Sequence, residues 1–338
     1  MTRANNIKKI IISRPDAIGD VLLTLPMCGL IKKYYPETKI AFIGRTYTEA
    51  IINCCEHIDE FINADDLFKQ GITNAIDTLK KINADAIIHV FPNKQLASLA
   101  KKARIKNRIG TTNRLFHWTT VNTFVKLSRK NSDLHEAQLN IKLLSAIGIN
   151  EIPELTELHQ YLGFTKIPTL NSEFNNWIDS SKINVILHPK SNASAREWSL
   201  DNFKTLIHLL PANNYKIFIS GTDKEKIILN DWIQQLPDHV NDITGKLSLA
   251  QFIAFISKAN YLVAASTGPL HIASSLGIGA IGVYPPIKPM HPGRWQPIGK
   301  NAKALVIKKS CDDCRKNPQA CSCINLIEAK QVANKIIN

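Results

Sequence analysis

The stretch "IKKIIISRPDAIGDVLLTLP", residues 7–26, carries the reading that decides the fold. Ile10, Ile11 and Ile12 form an unbroken β-branched run, the pattern of a strand covered on both faces of a parallel sheet. Turn residues follow, Pro15 and Asp16 among them. From Ile18 onward the apolar positions fall at helical spacing and predict one helix over 18–35. Strand, tight turn and helix open a βαβ unit. The turn also holds two acids, and no Lys or Arg is placed to pair with both. Asp16, just after Pro15, suits a turn or cap role. Asp20 follows Gly19 at the start of the helix, where backbone N–H groups and the helix dipole favour its carboxylate form. It is expected to stay ionised at neutral pH at the mouth of the turn.

The same alternation recurs along the chain. In the first half "KIAFIGR" and "ADAIIHVFP" read as strands, with helices over 48–55, after Pro92, and in "LHEAQLNIKLLSAIG", where Gly148 is the expected C-cap. In the second half "NVILHP", "YKIFISG", "YLVAAS" and "GAIGVYP" read as strands, with helices over 200–210, 223–236, 248–258 and 267–276. The chain has 338 residues, and single cores stop growing at roughly 250 residues or a little more, so two domains are expected. The fold class is therefore α/β with two Rossmann-like halves: residues 1–155, a linker over 156–182 with few periodic apolar positions, and residues 183–338. Open parallel sheets bind ligands beyond the carboxyl ends of their strands, which is where the chemistry is to be sought. The stretch "GIGAIG" (277–282) matches G-x-G-x-x-G but ends a helix and enters a strand, so it is no dinucleotide fingerprint; Gly277 reads as a helix C-cap.

The composition is that of a globular protein, 44% hydrophobic and 21% charged, with a formal net charge of +14. No apolar run reaches the ~18–20 residues that span a bilayer, and no secretory h-region precedes Ile10, so the cytoplasm is the expected compartment. The positive charge is concentrated. Residues 94–130 hold ten Lys/Arg and no Asp or Glu, which points to an anionic partner: a nucleic acid, a phosphorylated substrate or an anionic membrane face. Lys94, Lys101, Arg104 and Arg114 are the candidate acceptor-binding residues of this run. RNP, KH and zinc-finger signatures are missing and aromatics are few in the run, so no nucleic acid is expected. Of seven cysteines, Cys28, Cys54 and Cys55 lie in apolar surroundings and read as buried hydrophobes. Cys311, Cys314, Cys321 and Cys323 form C-x2-C-x6-C-x-C, whose alternatives are reduced thiols, a labile disulfide or a zinc site. The knuckle glycines of a zinc site are missing, and no metal is expected.

The strand ends of the second half carry a phosphate chemistry. "YLVAASTGPLHIASSLG" ends a strand and turns through Ser266, Thr267 and Gly268 into a helix, with Pro269 at its first turn. Free N–H groups and the positive helix end there suit a phosphate, with the two hydroxyls donating alongside. "LHPKSNASAREWS" brings Lys190, Ser191 and Arg196 to another strand end, where the two cations suit a diphosphate. In "SGTDKEK", Glu225 suits ribose hydroxyls or a plain dipole complement. Together these suggest a nucleotide diphosphate. No D-x-D pair occurs, which argues against a metal bridge to it.

The motifs "SRPDAIGDVLLTLP", "LHPKSNASAREWS", "SGTDKEK" and "STGPLHIASSLG", in this order and spacing, resemble the bacterial lipopolysaccharide heptosyltransferases of glycosyltransferase family 9, over nearly the whole chain. The resemblance implies a GT-B fold, with nucleotide-sugar held by the C-terminal domain and acceptor by the N-terminal one across a cleft. It implies a metal-independent, inverting transfer of heptose from ADP-heptose to the lipopolysaccharide inner core, with no cofactor. Asp20 matches the family's catalytic base and Arg196 its phosphate-contacting cation. Glu225 matches the ribose acid, Leu247 and Ser248 the adenine-contacting region, and Thr267, Gly268, Pro269 and His271 the diphosphate turn. Ser266 departs from the aspartate that well-known members use toward the sugar, which leaves another nucleotide-sugar donor open. A basic nucleic-acid-binding protein and an inactive carbohydrate-binding relative are the other readings. The expected enzyme is a monomer, peripheral at the cytoplasmic face of the inner membrane.

Overall fold

The computed structural model describes residues 7–308 and 322–337. The chain forms two compact units, Met1–Lys166 and Ile167–Asn338. The first carries a six-stranded parallel sheet in the order β3-β2-β1-β4-β5-β6. Its strands are β1 (Lys9–Ser13), β2 (Lys39–Gly44), β3 (Glu60–Asn63), β4 (Ala86–His89), β5 (Asn107–Thr111) and β6 (Thr123–Val125). The second carries β7 (Ile183–His188), β8 (Tyr215–Ile219), β9 (Val240–Asp242), β10 (Tyr261–Ala264), β11 (Gly279–Tyr284) and β12 (Ala302–Val306), in the order β12-β11-β10-β7-β8-β9. Read from its other edge, this is the same topology as the first sheet, so both units are Rossmann-like. In each, the strand order reverses between the first and fourth strands, β1 and β4 in one unit and β7 and β10 in the other. That switch point is where open α/β sheets bind ligands.

The triple Ile of β1 is fully buried between β2 and β4, as a central parallel strand requires. The predicted helix over 18–35 is two helices, Ile18–Leu22 and Leu25–Tyr34. Pro26, in the first turn of the second, has no N–H to carry on the ladder of the first. The helix beginning at Glu136 also tightens, from α over Glu136–Ile141 to 3-10 over Lys142–Ile147, before Gly148 ends it at φ 89°. Gly277, at φ 79°, closes a helix as expected.

Much of the expected linker over 156–182 is not free chain. Leu158, Leu162 and Phe164 are buried, and Glu56 N–H donates to Gly163 O at 2.7 Å while Thr165 N–H donates to Cys54 O at 3.0 Å. Gly29 leaves space for the Tyr161 carbonyl, which a Cβ would strike. Residues up to 166 therefore belong to the first unit. In the second, Phe174 stacks edge-on with Trp177, and Trp177 with Phe255. These few anchors are too sparse to show a period in the sequence. Cys28, Cys54 and Cys55 are buried as expected. Of the C-terminal cysteine group, Cys311, Cys314 and Cys321 lie outside the described residues, and Cys323 is buried beside Ile287.

Candidate functional site

In the first unit β1 delivers Ser13 and Arg14 to the switch point. Arg14 is 3% exposed; its N–H donates to Ile43 O, and its side chain lies under the turn instead of reaching solvent. There it ion-pairs with Asp20 and lies 3.4 Å from Asp16 and 3.6 Å from Glu136. The expectation that no cation pairs with both acids is thus corrected. Arg14 serves both, because the end of a central strand aims its side chain beneath the following turn. Glu136, 1% exposed, also accepts from Arg129 Nε at 2.9 Å, and Arg129 donates on to Asn140 Oδ1 at 3.2 Å. Asn140 in turn donates to Leu23 O and Thr24 Oγ1, and the Thr24 hydroxyl donates to Asp20 O at 2.8 Å. The chain of contacts closes on the residue where it began.

The charge balance at Asp20 differs from the one expected. Burial pushes its carboxyl above the ordinary carboxylate range and outweighs the pull of Arg14, while Asp16 and Glu136 push the same way. The helix that holds Asp20 in its first turn is only five residues long. Tyr47 closes the open side of the turn: its hydroxyl donates to Asp16 O at 3.0 Å, and burial raises its own pKa. Glu136 and Arg129 were not singled out in the sequence. The only available signal was an acid at a helix start with an arginine seven residues before it.

The four basic candidates are not brought together. The helix Lys94–Lys102 starts at the carboxyl edge of the sheet, after β4, and ends at the opposite edge, before β5. Lys94 and Arg114 therefore share the edge that holds Asp20. Lys101 and Arg104, the latter turning the chain at φ 59°, lie at the far edge and cannot meet the same ligand. The structure corrects the single basic patch to two, because two short strands hidden in the run, β5 and β6, carry the chain across the sheet.

In the second unit the switch point is lined by the ends of β7 and β10. After β7, Lys190 ion-pairs with Glu197, whose Oε1 also accepts Ser191 N–H at 2.9 Å and Ser191 Oγ at 3.0 Å. Lys190, expected to help neutralise a diphosphate, and Ser191 are thus both engaged by an acid of their own loop. Trp198 is a core anchor, edge-on to Phe203 at 4.9 Å and donating to Ile327 O, and Arg196 beside it is half-buried. Glu225 sits in a capping box: Oε2 accepts Thr222 N–H at 2.8 Å, and Thr222 Oγ1 accepts Glu225 N–H at 3.3 Å. The cap accounts for Glu225 without a ligand. Beneath this loop burial pushes the pKa of His188 down, with Glu225 and Glu197 opposing. Leu247 is half-buried, and Ser248 caps the helix Leu249–Ile256 through Gln251 N–H.

The turn after β10 is different. Thr267 stands at the N-cap of the helix Gly268–Ser275 but its side chain does not cap it. Its Oγ1 is buried without a partner. Gly268 and Pro269 open the helix and His271, in its first turn, is buried, while Ser266 lies by the Tyr284 hydroxyl, which donates to Trp295 O at 2.9 Å. An uncapped helix N-terminus beside a buried, unspent hydroxyl suits an anionic oxygen.

Residues 72–325 match the family model described as glycosyltransferase family 9 (heptosyltransferase). The chain belongs to glycosyltransferase family 9. It is a glycosyltransferase of the heptosyltransferase-like kind, and the nucleic-acid-binding reading gives way. Over 315 residues, 88% of each chain, it is 27% identical to a Haemophilus influenzae protein named only as a glycosyltransferase. It is 25% identical over 283 residues, 82% of this chain and 79% of the other, to the lipopolysaccharide core heptosyltransferase OpsX of the same organism. Among solved structures, the family 9 glycosyltransferase of Veillonella parvula superposes with a TM-score of 0.80 at 18% identity, covering 99% of both chains. Escherichia coli heptosyltransferase WaaC with ADP superposes at 0.73 and 16% identity, covering 97% and 99%. These likenesses bear on the fold, which is GT-B in class: two Rossmann-like units in one chain.

Proposed function

We propose that this family 9 enzyme moves a heptose from ADP-heptose to the lipopolysaccharide inner core, with inversion and without a metal. The observation that carries the reading is Asp20, half-buried at the first unit's switch point and held by Arg14. In the proposed step Asp20 takes the proton of the acceptor hydroxyl as that oxygen attacks the anomeric carbon. The bond from that carbon to the diphosphate oxygen breaks on the opposite face, and ADP leaves with the electron pair. Arg196 and the Thr267–Gly268 helix end stabilise the charge gathering on the diphosphate. Glu225 meets the ribose through the carboxylate oxygen its cap does not use, Leu247 and Ser248 meet the adenine, and Lys94 and Arg114 meet anionic groups of the acceptor. The enzyme works at the cytoplasmic face of the inner membrane, attached peripherally. Support comes from the OpsX likeness and from a WaaC complex with ADP-2-deoxy-2-fluoro heptose at a TM-score of 0.70.

A second donor is favoured by one observation: Ser266, beside Tyr284, stands where an acid would face the sugar. Release of ADP or another nucleotide across a panel of nucleotide-sugars, with lipopolysaccharide core as acceptor, tests both readings. ADP-heptose is expected to be used fastest. Faster use of a hexose donor moves the assignment within the family, and no transfer with any donor overturns the reading.

A further inference from the structure

The first unit exposes an apolar patch that the sugar-transfer reading does not use. Leu115 is 89% exposed, Trp118 62% and Phe124 37%. Trp118 N–H donates to Leu115 O, which fixes the two on one short turn, and the Trp118 and Phe124 rings lie 5.0 Å apart. Phe124 belongs to β6, the edge strand of the sheet. Side chains of this size gain from leaving water, and contiguous exposed apolar surface marks an interaction site.

The surroundings are basic throughout. Arg114 and Lys126 flank the rings in sequence and are exposed. Arg108 lies close by, its Nε donating to Thr120 O at 2.8 Å. A groove of about 340 Å³ continues the patch, lined by Phe124, Lys126, Lys142, Ser145 and Ile152 among others. The groove's acid, Glu151, is held by Lys33 and the Tyr34 hydroxyl. No Asp or Glu occurs anywhere in residues 94–130.

We propose that Leu115, Trp118 and Phe124, ringed by Lys126, Lys142 and Arg108, form the surface by which the protein docks on an anionic lipid bilayer. Exposed Trp and Leu tips suit the interfacial zone, where an indole finds both apolar and polar surroundings. The basic ring suits the negative headgroups around them. A second copy of this chain is the poorer occupant, because a two-fold interface would set the same cations face to face. A nucleic acid would have no use for an aliphatic tip as exposed as Leu115. The inference deepens the peripheral attachment proposed above and rests on it for the choice of membrane; sugar transfer has no part in it.

Sedimentation of the full chain with vesicles tests this. Vesicles of phosphatidylglycerol in phosphatidylethanolamine are expected to carry the protein down, and phosphatidylcholine vesicles are not. The double variant Leu115→Ser/Trp118→Ser is expected to bind roughly tenfold more weakly, and Lys126→Glu several-fold more weakly with a flatter salt dependence. Circular dichroism and nucleotide release with a water-soluble acceptor are expected to be unchanged in both variants, which separates docking from folding and from catalysis. Equal binding to both vesicle types, or undiminished binding by the double variant, overturns the proposal. So does a dimer, or RNA binding, that the double variant abolishes while vesicles are ignored. Vesicle binding without sugar transfer by any donor would leave the docking surface standing and remove the proposed reaction instead.

Discussion

After β4 in the first unit, Asn93 turns its side chain onto Leu96 N–H at 2.9 Å and closes the helix Lys94–Lys102. After β10, the equivalent strand of the second unit, Thr267 leaves the helix Gly268–Ser275 uncapped and its own hydroxyl buried without a partner. At the neighbouring strand of each sheet both turns are filled, each in its own way. After β1 the turn is filled by an acid and its buried arginine, whereas after β7 it is a polar loop held by Glu197. The two sheets share one topology, so topology does not choose the chemistry. Which connection closes on itself, and which leaves a polar group unspent, does.

The largest effect expected on this contrast comes from Asp20→Asn. It removes the base while keeping the size of the side chain, so transfer should fall by about 10²–10⁴-fold. ADP affinity, measured by calorimetry, should barely move, because the variant lies in the unit opposite in role. Full activity in the variant would leave the first unit without a base.

Next in size is a paired test of the two helix starts. Thr267→Val deletes a hydroxyl that has no partner in the folded protein, so stability should hold or rise, since an unsatisfied buried polar group costs about 1–3 kcal/mol. ADP affinity should fall roughly tenfold, the worth of one hydrogen bond to a charged group. Asn93→Ala should do the reverse, costing about 1 kcal/mol of stability through a lost cap and leaving ADP affinity alone. Thermal melts and calorimetry on both variants decide whether the uncapped turn is a phosphate site or only a loose helix end.

How much of this was legible in the sequence follows from the same residues. The turn at Ser266–Pro269 and the acid at Asp20 could be found because both follow short apolar runs that read as strands, and period and turn chemistry are local properties. The direction of Arg14 could not be found, since it depends on which strand becomes central and which face is covered. Glu197 lay in plain view, but only the folded loop brings it onto Lys190 seven residues earlier. β5 and β6 hid because both are short with little alternation; β5 reads Asn-Arg-Ile-Gly-Thr, and β6 is only Thr-Phe-Val.

A smaller effect is expected from the buried ring behind Asp20. The base must be a carboxylate, so activity falls as pH drops through its pKa, which burial, Asp16 and Glu136 hold above the ordinary range. Glu136→Gln removes one of the negative charges that raise it, so the acid limb of the pH–rate profile should move to lower pH. Arg14→Gln removes the charge that lowers it, so the limb should move to higher pH. Movement of both variants in the same direction would mean that the ring acts by packing and not by charge.

The smallest effect separates the two ends of the basic run. Lys94 lies at the carboxyl edge of the sheet and Lys101 at the other end of the same helix, and both are exposed, so folding is a poor reason for either to matter. If the anionic acceptor meets the carboxyl edge, Lys94→Ala should raise its KM several-fold, more so at low salt, where a Debye length of about 10 Å or longer leaves the contact unscreened. Lys101→Ala should leave KM within about twofold, because an exposed charge one helix length away is screened. Equal losses from the two would mean that net charge alone draws the acceptor in, and that the division of the run by β5 and β6 has no bearing on where the acceptor binds.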